Sequence, residues 1–176
     1  TCSVRDHAEQ KVFGRMGAFG KLKKEKPGLV IGILGCMAQE HGGDFFRKNP
    51  DIDIVCGTGN LSQIADLVEE IQRHGPILAI DKVDDEYGLD GVCYRGDDLK
   101  ALVTIMKGCD HRCTYCIVPY TRGVEISRGS ESILKEMKDL ETRNFKDVML
   151  LGQNVNVYGK DLGKPIGILK EASARA

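Results

Sequence analysis

An excess of charge of either sign is missing from this sequence: 25 lysines and arginines stand against 26 aspartates and glutamates, a net charge of −1. A chain-wide basic footprint for nucleic acid is thereby excluded, and any RNA contact is expected to be local or to lie outside this chain. Long hydrophobic runs are also missing. No stretch is apolar enough to span a bilayer and no apolar secretory segment opens the chain, so a cytoplasmic protein with reduced thiols is expected. The seven cysteines are an odd number, which argues against a disulfide framework. What is present, 41% hydrophobic and 29% charged residues over 176 positions, suffices for one ordinary domain or two small ones. Thr1 stands first, directly before a cysteine, and a natural start further upstream is expected.

Three of the cysteines are concentrated within residues 108–116, where Cys109, Cys113 and Cys116 follow the apolar run 101–106 with C-x-x-x-C-x-x-C spacing. Three thiolates on a loop leaving a strand can each hold one iron of a cubane cluster while the fourth iron keeps no protein ligand. An open metal position is where substrate chemistry can occur. A disulfide with a spare thiol and a zinc site are the bland alternatives. Zinc would lack a fourth ligand, since His111 lies inside the loop at the wrong spacing for paired knuckles and reads as a solvated side chain.

Taken in order, Ala8, Val12, Met16 and Phe19 recur at helical intervals after Ser3, a cap candidate. Gly14, Gly17 and Gly20 each cost that helix about 1 kcal/mol relative to alanine and are read as close-packing positions. Lys21, Lys23, Lys24 and Lys26 form a solvated helix end, with a phosphate-binding patch as the alternative. Residues 29–34 suit a strand buried on both faces of a parallel sheet. Such a strand delivers Cys36 to the edge where ligands of parallel sheets gather, although core packing remains open for it.

A helix to about Arg47, a strand over 52–56 ending in a buried Cys56, and a helix with Leu61, Ile64, Leu67, Val68 and Ile71 on one face follow. Gly57 and Gly59 lack the third glycine of a dinucleotide fingerprint and read as a tight turn. The acidic stretch 81–100, with Cys93 as an incidental thiol, is a linker between a domain at 1–80 and a unit opening at 101. That unit reads as a strand over 101–106, the cysteine loop, a helix over 131–143 capped by Ser130, Asn144 at its left-handed end, and a strand over 147–151. Strand, helix and parallel strand open a β/α barrel.

Tyr115 before the last cysteine, the run Ile117, Val118, Pro119, Tyr120, Thr121, Arg122 and Gly123, then Ser127 and Arg128, and finally Leu150, Leu151, Gly152, Gln153, Asn154 and Val155 carry a resemblance. Over residues 1–159 the chain resembles the radical SAM (S-adenosylmethionine) methylthiotransferases, most closely the MiaB-type branch that adds a methylthio group to a modified adenosine in tRNA. Residues 160–176 diverge and are expected to form a tail. The implied fold is α/β: an amino-terminal parallel-sheet α/β domain followed by the opening β/α units of a radical SAM partial TIM barrel.

The resemblance further implies that Cys109, Cys113 and Cys116 hold a 4Fe-4S cluster whose open iron binds SAM, and that reduction cleaves SAM to methionine and a 5'-deoxyadenosyl radical. Tyr115, Arg122, Arg128, Gly152, Gln153 and Asn154 become candidates for the cofactor pocket. Tyr115 could instead fill the loop core, and the arginines could instead meet an RNA phosphate. Cys2 and Cys36 match two of three ligands of an auxiliary 4Fe-4S cluster associated with sulfur donation, the other falling upstream of Thr1. The implied partners are tRNA, reached mainly through regions outside this chain, and an electron donor and sulfur source of unknown identity. A monomer without membrane contact, inactive as this chain alone, is expected. Sibling enzymes acting on threonylcarbamoyl adenosine or on a ribosomal protein are alternatives, as is a non-catalytic iron-sulfur or zinc-binding module that would ignore SAM.

Overall fold

The computed structural model of the chain describes residues 1, 3, 5–81 and 99–163. Cys2, Cys93, nearly all of the expected linker and most of the expected tail lie outside the described residues. The described residues divide into two compact units. One holds residues 1–81 together with Arg112–Arg122, and the other holds residues 99–111 and 123–163.

The first unit is built on a parallel sheet, β1 (Gly32–Leu34), β2 (Ile54–Cys56) and β3 (Ile77–Ala79), in that spatial order. Gly32 aligns with Ile54 and Leu34 with Cys56, and Ile54 in turn aligns with Ile77. All three residues of central β2 are buried, which is why its sequence is unbroken Ile-Val-Cys. Val55 packs with Met16, Ile31, Ile33, Met37, Phe45 and Ile52, whereas Ile54 and Cys56 pack with Leu67 and Ala79 on the opposite face. The two faces are covered by different helices. Helix α1 (Asp6–Glu25) contributes Met16 to the first core, as do α2 (Cys36–His41) and α3 (Asp44–Lys48) through Met37 and Phe45. The second core is closed by α4 (Ile64–His74) through Leu67, Ile64 and Ile71.

Several local expectations change. Helix α1 is preceded by Arg5, with no side-chain cap bond, so Ser3 is not its cap. Among the α1 glycines only Gly20 has a packing reason: a Cβ there would run into the Asp51 side chain, whereas Gly14 and Gly17 face open space. Lys23 is not a solvated lysine. Its ammonium lies 2.5 Å from Asp53 and 2.8 Å from the Asp51 carbonyl, while Asp53 also accepts the Ile31 N–H at 2.8 Å, so one ion pair fastens the end of α1 to the entry of the sheet. The helix expected to reach Arg47 is two helices, because Gly42 has φ +47° and stops the first. Leu61, placed by periodicity on the same face as α4, lies instead in a 3-10 turn ahead of that helix, and both it and Val68 are exposed.

In the second unit β4 (Lys100–Thr104) pairs in parallel with β7 (Asp147–Leu151), Lys100 opposite Asp147 and Thr104 opposite Leu151. Helix α6 (Ser130–Thr142) lays Ile133, Met137 and Leu140 against Ala101, Val103, Val148 and Leu150. Gly129, rather than Ser130, occupies its cap position, and Asn144 takes φ +65° just beyond its end. The apolar run 101–106 is divided: Ile105 donates to Leu151, after which β5 (Met106–Lys107) pairs antiparallel with β6 (Ile126–Ser127). This mixed α/β architecture agrees with the fold expected from the sequence. Among the described residues no helix is long and apolar enough to cross a membrane.

Candidate iron-sulfur and cofactor site

The cysteine loop leaves β5 at Gly108, a buried residue with φ +76°. Cys109 follows, its N–H donating to the Gly123 carbonyl at 3.1 Å. The Asp110 carboxylate accepts the Glu125 N–H at 3.0 Å, so both limbs of the loop are joined where they leave the β5–β6 ladder. Residues immediately after β7 reach the same place. Gln153 Oε1 accepts the Gly108 N–H at 2.7 Å, and Asn154 Nδ2 donates to Glu125 Oε1 at 3.2 Å. Gly152 has no room for a side chain, since a Cβ would press on Met106 and Val155.

Cys113 and Cys116 belong to the first unit. A tight turn joins them, the Cys116 N–H donating to the Cys113 carbonyl at 3.0 Å, which leaves Cys113 exposed and Cys116 half-buried. Tyr115, between them, is 90% exposed, so it does not fill a loop core. The short helix α5 (Val118–Arg122) then packs against α2, the helix that begins with Cys36. It is also fastened by the Thr58 hydroxyl, which donates to the Thr121 carbonyl. Arg122 is exposed on it. Cys36 itself is buried behind Gly35, whose φ is +101°. Thr1 donates to the Leu34 carbonyl at 2.7 Å from both its amino group and its hydroxyl, which brings the chain's first residue to the Gly35 corner.

Free thiolates are the ligands an iron-sulfur cluster requires. All five described cysteines are free thiols, and the three in the loop are open to an incoming group. Cys56 contrasts with them: it is fully buried, and desolvation pushes its thiol up from the ordinary range, away from the thiolate a metal needs.

Arg128 takes a different place from the one anticipated. It is 6% exposed, and its guanidinium is paired with Glu136 and hydrogen-bonded to the Ser132 hydroxyl at 3.0 and 2.8 Å and to the Thr104 carbonyl at 3.3 Å. A cation held this way ties β6 to α6, and the reading of Arg128 as a binder of phosphate or cofactor carboxylate is replaced by a structural one. Tyr158 and Asp161, not marked in the sequence, complete the same seam. The fully buried Tyr158 donates to the Arg128 carbonyl at 2.8 Å, and Asp161 accepts the Ser127 N–H at 2.7 Å. The first residues of the expected tail therefore fold onto β6. One further group was also unmarked: the ligand atoms of Glu9, Glu40 and His41 lie within 4.8 Å of one another. His41 packs edge-on to Phe13 and Phe45 and reaches Glu9 at 3.4 Å, joining α1 to α2.

Partial burial pushes the Asp161 carboxyl up, but the hydrogen bonds from Ser127 and from nearby backbone outweigh it and hold the pKa below its ordinary value. Stability from a depressed carboxyl is present above the unfolded pKa of about 3.9 and is lost as pH falls through the lower folded value. Asp161→Asn is therefore expected to destabilise the chain by at most about 1 kcal/mol at neutral pH, because the group is exposed. Thermal melts from pH 7 down to about pH 3 should show the two proteins converging at the acid end.

Comparison with known proteins bears on the chain as a whole. Residues 1–57 match the uncharacterized protein family UPF0004 and residues 103–173 match the radical SAM superfamily. Among curated relatives, the tRNA-2-methylthio-N(6)-dimethylallyladenosine synthase of Clostridium beijerinckii is 46% identical over 170 residues, covering 94% of this chain and 37% of the relative. Those of Protochlamydia amoebophila and Moorella thermoacetica are 45% and 44% identical, covering 92% and 99% of this chain and 36% and 40% of their own lengths. The chain thus spans about two fifths of the length of the relatives it matches. It carries a match to UPF0004 followed by a match to the radical SAM superfamily, and nearly its whole length is similar to part of these synthases.

Proposed function

We propose that this chain is the part of a tRNA methylthiotransferase that binds SAM at an iron-sulfur cluster, and that the enzyme inserts a methylthio group into a modified adenosine. The observation that carries the reading is the alignment of more than nine tenths of the chain, at 46% identity, with a synthase named for that product. Cys109, Cys113 and Cys116 would hold a 4Fe-4S cluster, which when bound supplies the electron for reductive cleavage of SAM. The chain's own contribution is to keep three free thiols accessible on a loop whose limbs are fastened by Asp110, Gln153 and Asn154.

Cys36, heading α2, and Cys2 would serve the auxiliary cluster. The exposed Arg122 is free of the packing that occupies Arg128, and it would meet a carboxylate of the cofactor or a phosphate of the RNA. With a net charge of −1, tRNA would be held by such local contacts and by regions beyond this chain. The enzyme acts in the cytoplasm.

The test is anaerobic reconstitution with iron and sulfide, followed by electron paramagnetic resonance of the reduced protein with and without SAM. A cubane signal that shifts when SAM is added is the expected result. A cubane signal indifferent to SAM would instead assign an iron-sulfur module without radical chemistry.

A further inference from the structure

We propose that Gln153 is a positioning residue for the cysteine loop rather than a contact of the cofactor: its side-chain carbonyl holds the Gly108 N–H and so sets where Cys109 stands. The inference rests on the radical SAM reading above and adds a role to one residue of that site.

β5 ends at Lys107, so the next N–H, that of Gly108, has left the antiparallel ladder. Gly108 is buried, and a buried amide without an acceptor is costly. Its backbone cannot turn elsewhere to find one. The φ of +76° is already in the left-handed region, and the position a Cβ would occupy is filled by the Val124 carbonyl. The acceptor comes from a different strand. β7 pairs with β4 rather than β5, and the residue two beyond its end places Oε1 2.7 Å from the Gly108 nitrogen.

The neighbouring Asn154 reaches the other limb, at Glu125, whose N–H is in turn held by Asp110. Two consecutive amides thus fasten the outgoing and returning limbs to the carboxyl end of β7. A glutamine whose carbonyl is committed to the backbone in this way acts on the cluster through Cys109, one residue beyond Gly108.

The required group is an acceptor, which glutamate also supplies and alanine does not. Gln153→Ala is expected to speed Gly108 amide exchange at least about tenfold in the metal-free chain, read by nuclear magnetic resonance, with Gln153→Glu close to the unchanged protein. After reconstitution, the SAM-induced change in the cubane signal should be lost in Gln153→Ala and kept in Gln153→Glu. Unchanged Gly108 exchange in Gln153→Ala would overturn the proposal. So would a Gln153→Glu protein that protects Gly108 yet no longer responds to SAM, which would make the glutamine NH2 a direct cofactor contact. If the unsubstituted protein itself ignores SAM, the radical SAM reading fails and this positioning role falls with it; the exchange data then describe a backbone clamp only.

Discussion

In the intact enzyme of the proposed function, Cys109→Ala, Cys113→Ala and Cys116→Ala are each expected to lower SAM cleavage at least about a thousandfold, to the limit of detection, when 5'-deoxyadenosine is measured after anaerobic reconstitution. A cubane held by three thiolates has no protein ligand to spare, so removing one leaves two irons short and the cluster unsupported. The three positions differ in their surroundings. Cys113 is exposed, while Cys109 is anchored through its N–H to Gly123 and Cys116 through its N–H to Cys113. These backbone bonds survive side-chain truncation, so the folded fraction should change little while iron per chain falls. Cys56→Ala is the control. Its thiol is buried between β2 and α4 and held protonated by desolvation, so its loss should leave iron content and cleavage intact at a modest cost in stability. Cleavage retained in any of the three loop variants would sink the assignment of that cysteine.

Elements with strong local signals were legible in the sequence. Residues 147–151 form the strand their apolar pattern indicates, α6 differs from its expected span by one residue at either end, and Asn144 adopts the left-handed conformation its type permits. Caps were read less well. Ser3 and Ser130 are of capping type, yet Arg5 and Gly129 occupy those positions and neither helix start carries a side-chain cap bond.

Partnerships distant in sequence were not legible at all. Lys23, read as solvated, pairs with Asp53 thirty residues away, and Asp161, left in an expected tail, holds the Ser127 backbone; even Arg128, read as functional, is committed to Glu136. Position in the fold decides between those readings. The cysteine loop shows the same division. Its spacing announced the thiols, while the hydrogen bonds of Asp110, Gln153 and Asn154 that hold its limbs depend on where β7 ends relative to β5 and β6.

Two glycines at the ends of that loop offer a test of what fixes it. Gly108 and Gly123 both have φ +76°, and an alanine at either must adopt a left-handed backbone at a cost of about 1–2 kcal/mol. Nothing lies within 4 Å of the position a methyl group would take on Gly123, so Gly123→Ala should lose only that amount. At Gly108 the methyl would fall on the Val124 carbonyl, with the Gly123 carbonyl 2.8 Å away, and backbone cannot give as a flexible side chain can. Relieving that overlap costs about 1–3 kcal/mol more, and the movement would also pull the Gly108 N–H from Gln153. Gly108→Ala is therefore expected to lose about 2–5 kcal/mol in urea unfolding, and to bind less iron under conditions where Gly123→Ala reconstitutes fully. Equal losses in the two variants would show that left-handed strain alone accounts for both glycines, and that the close approach of Val124 does not constrain the loop.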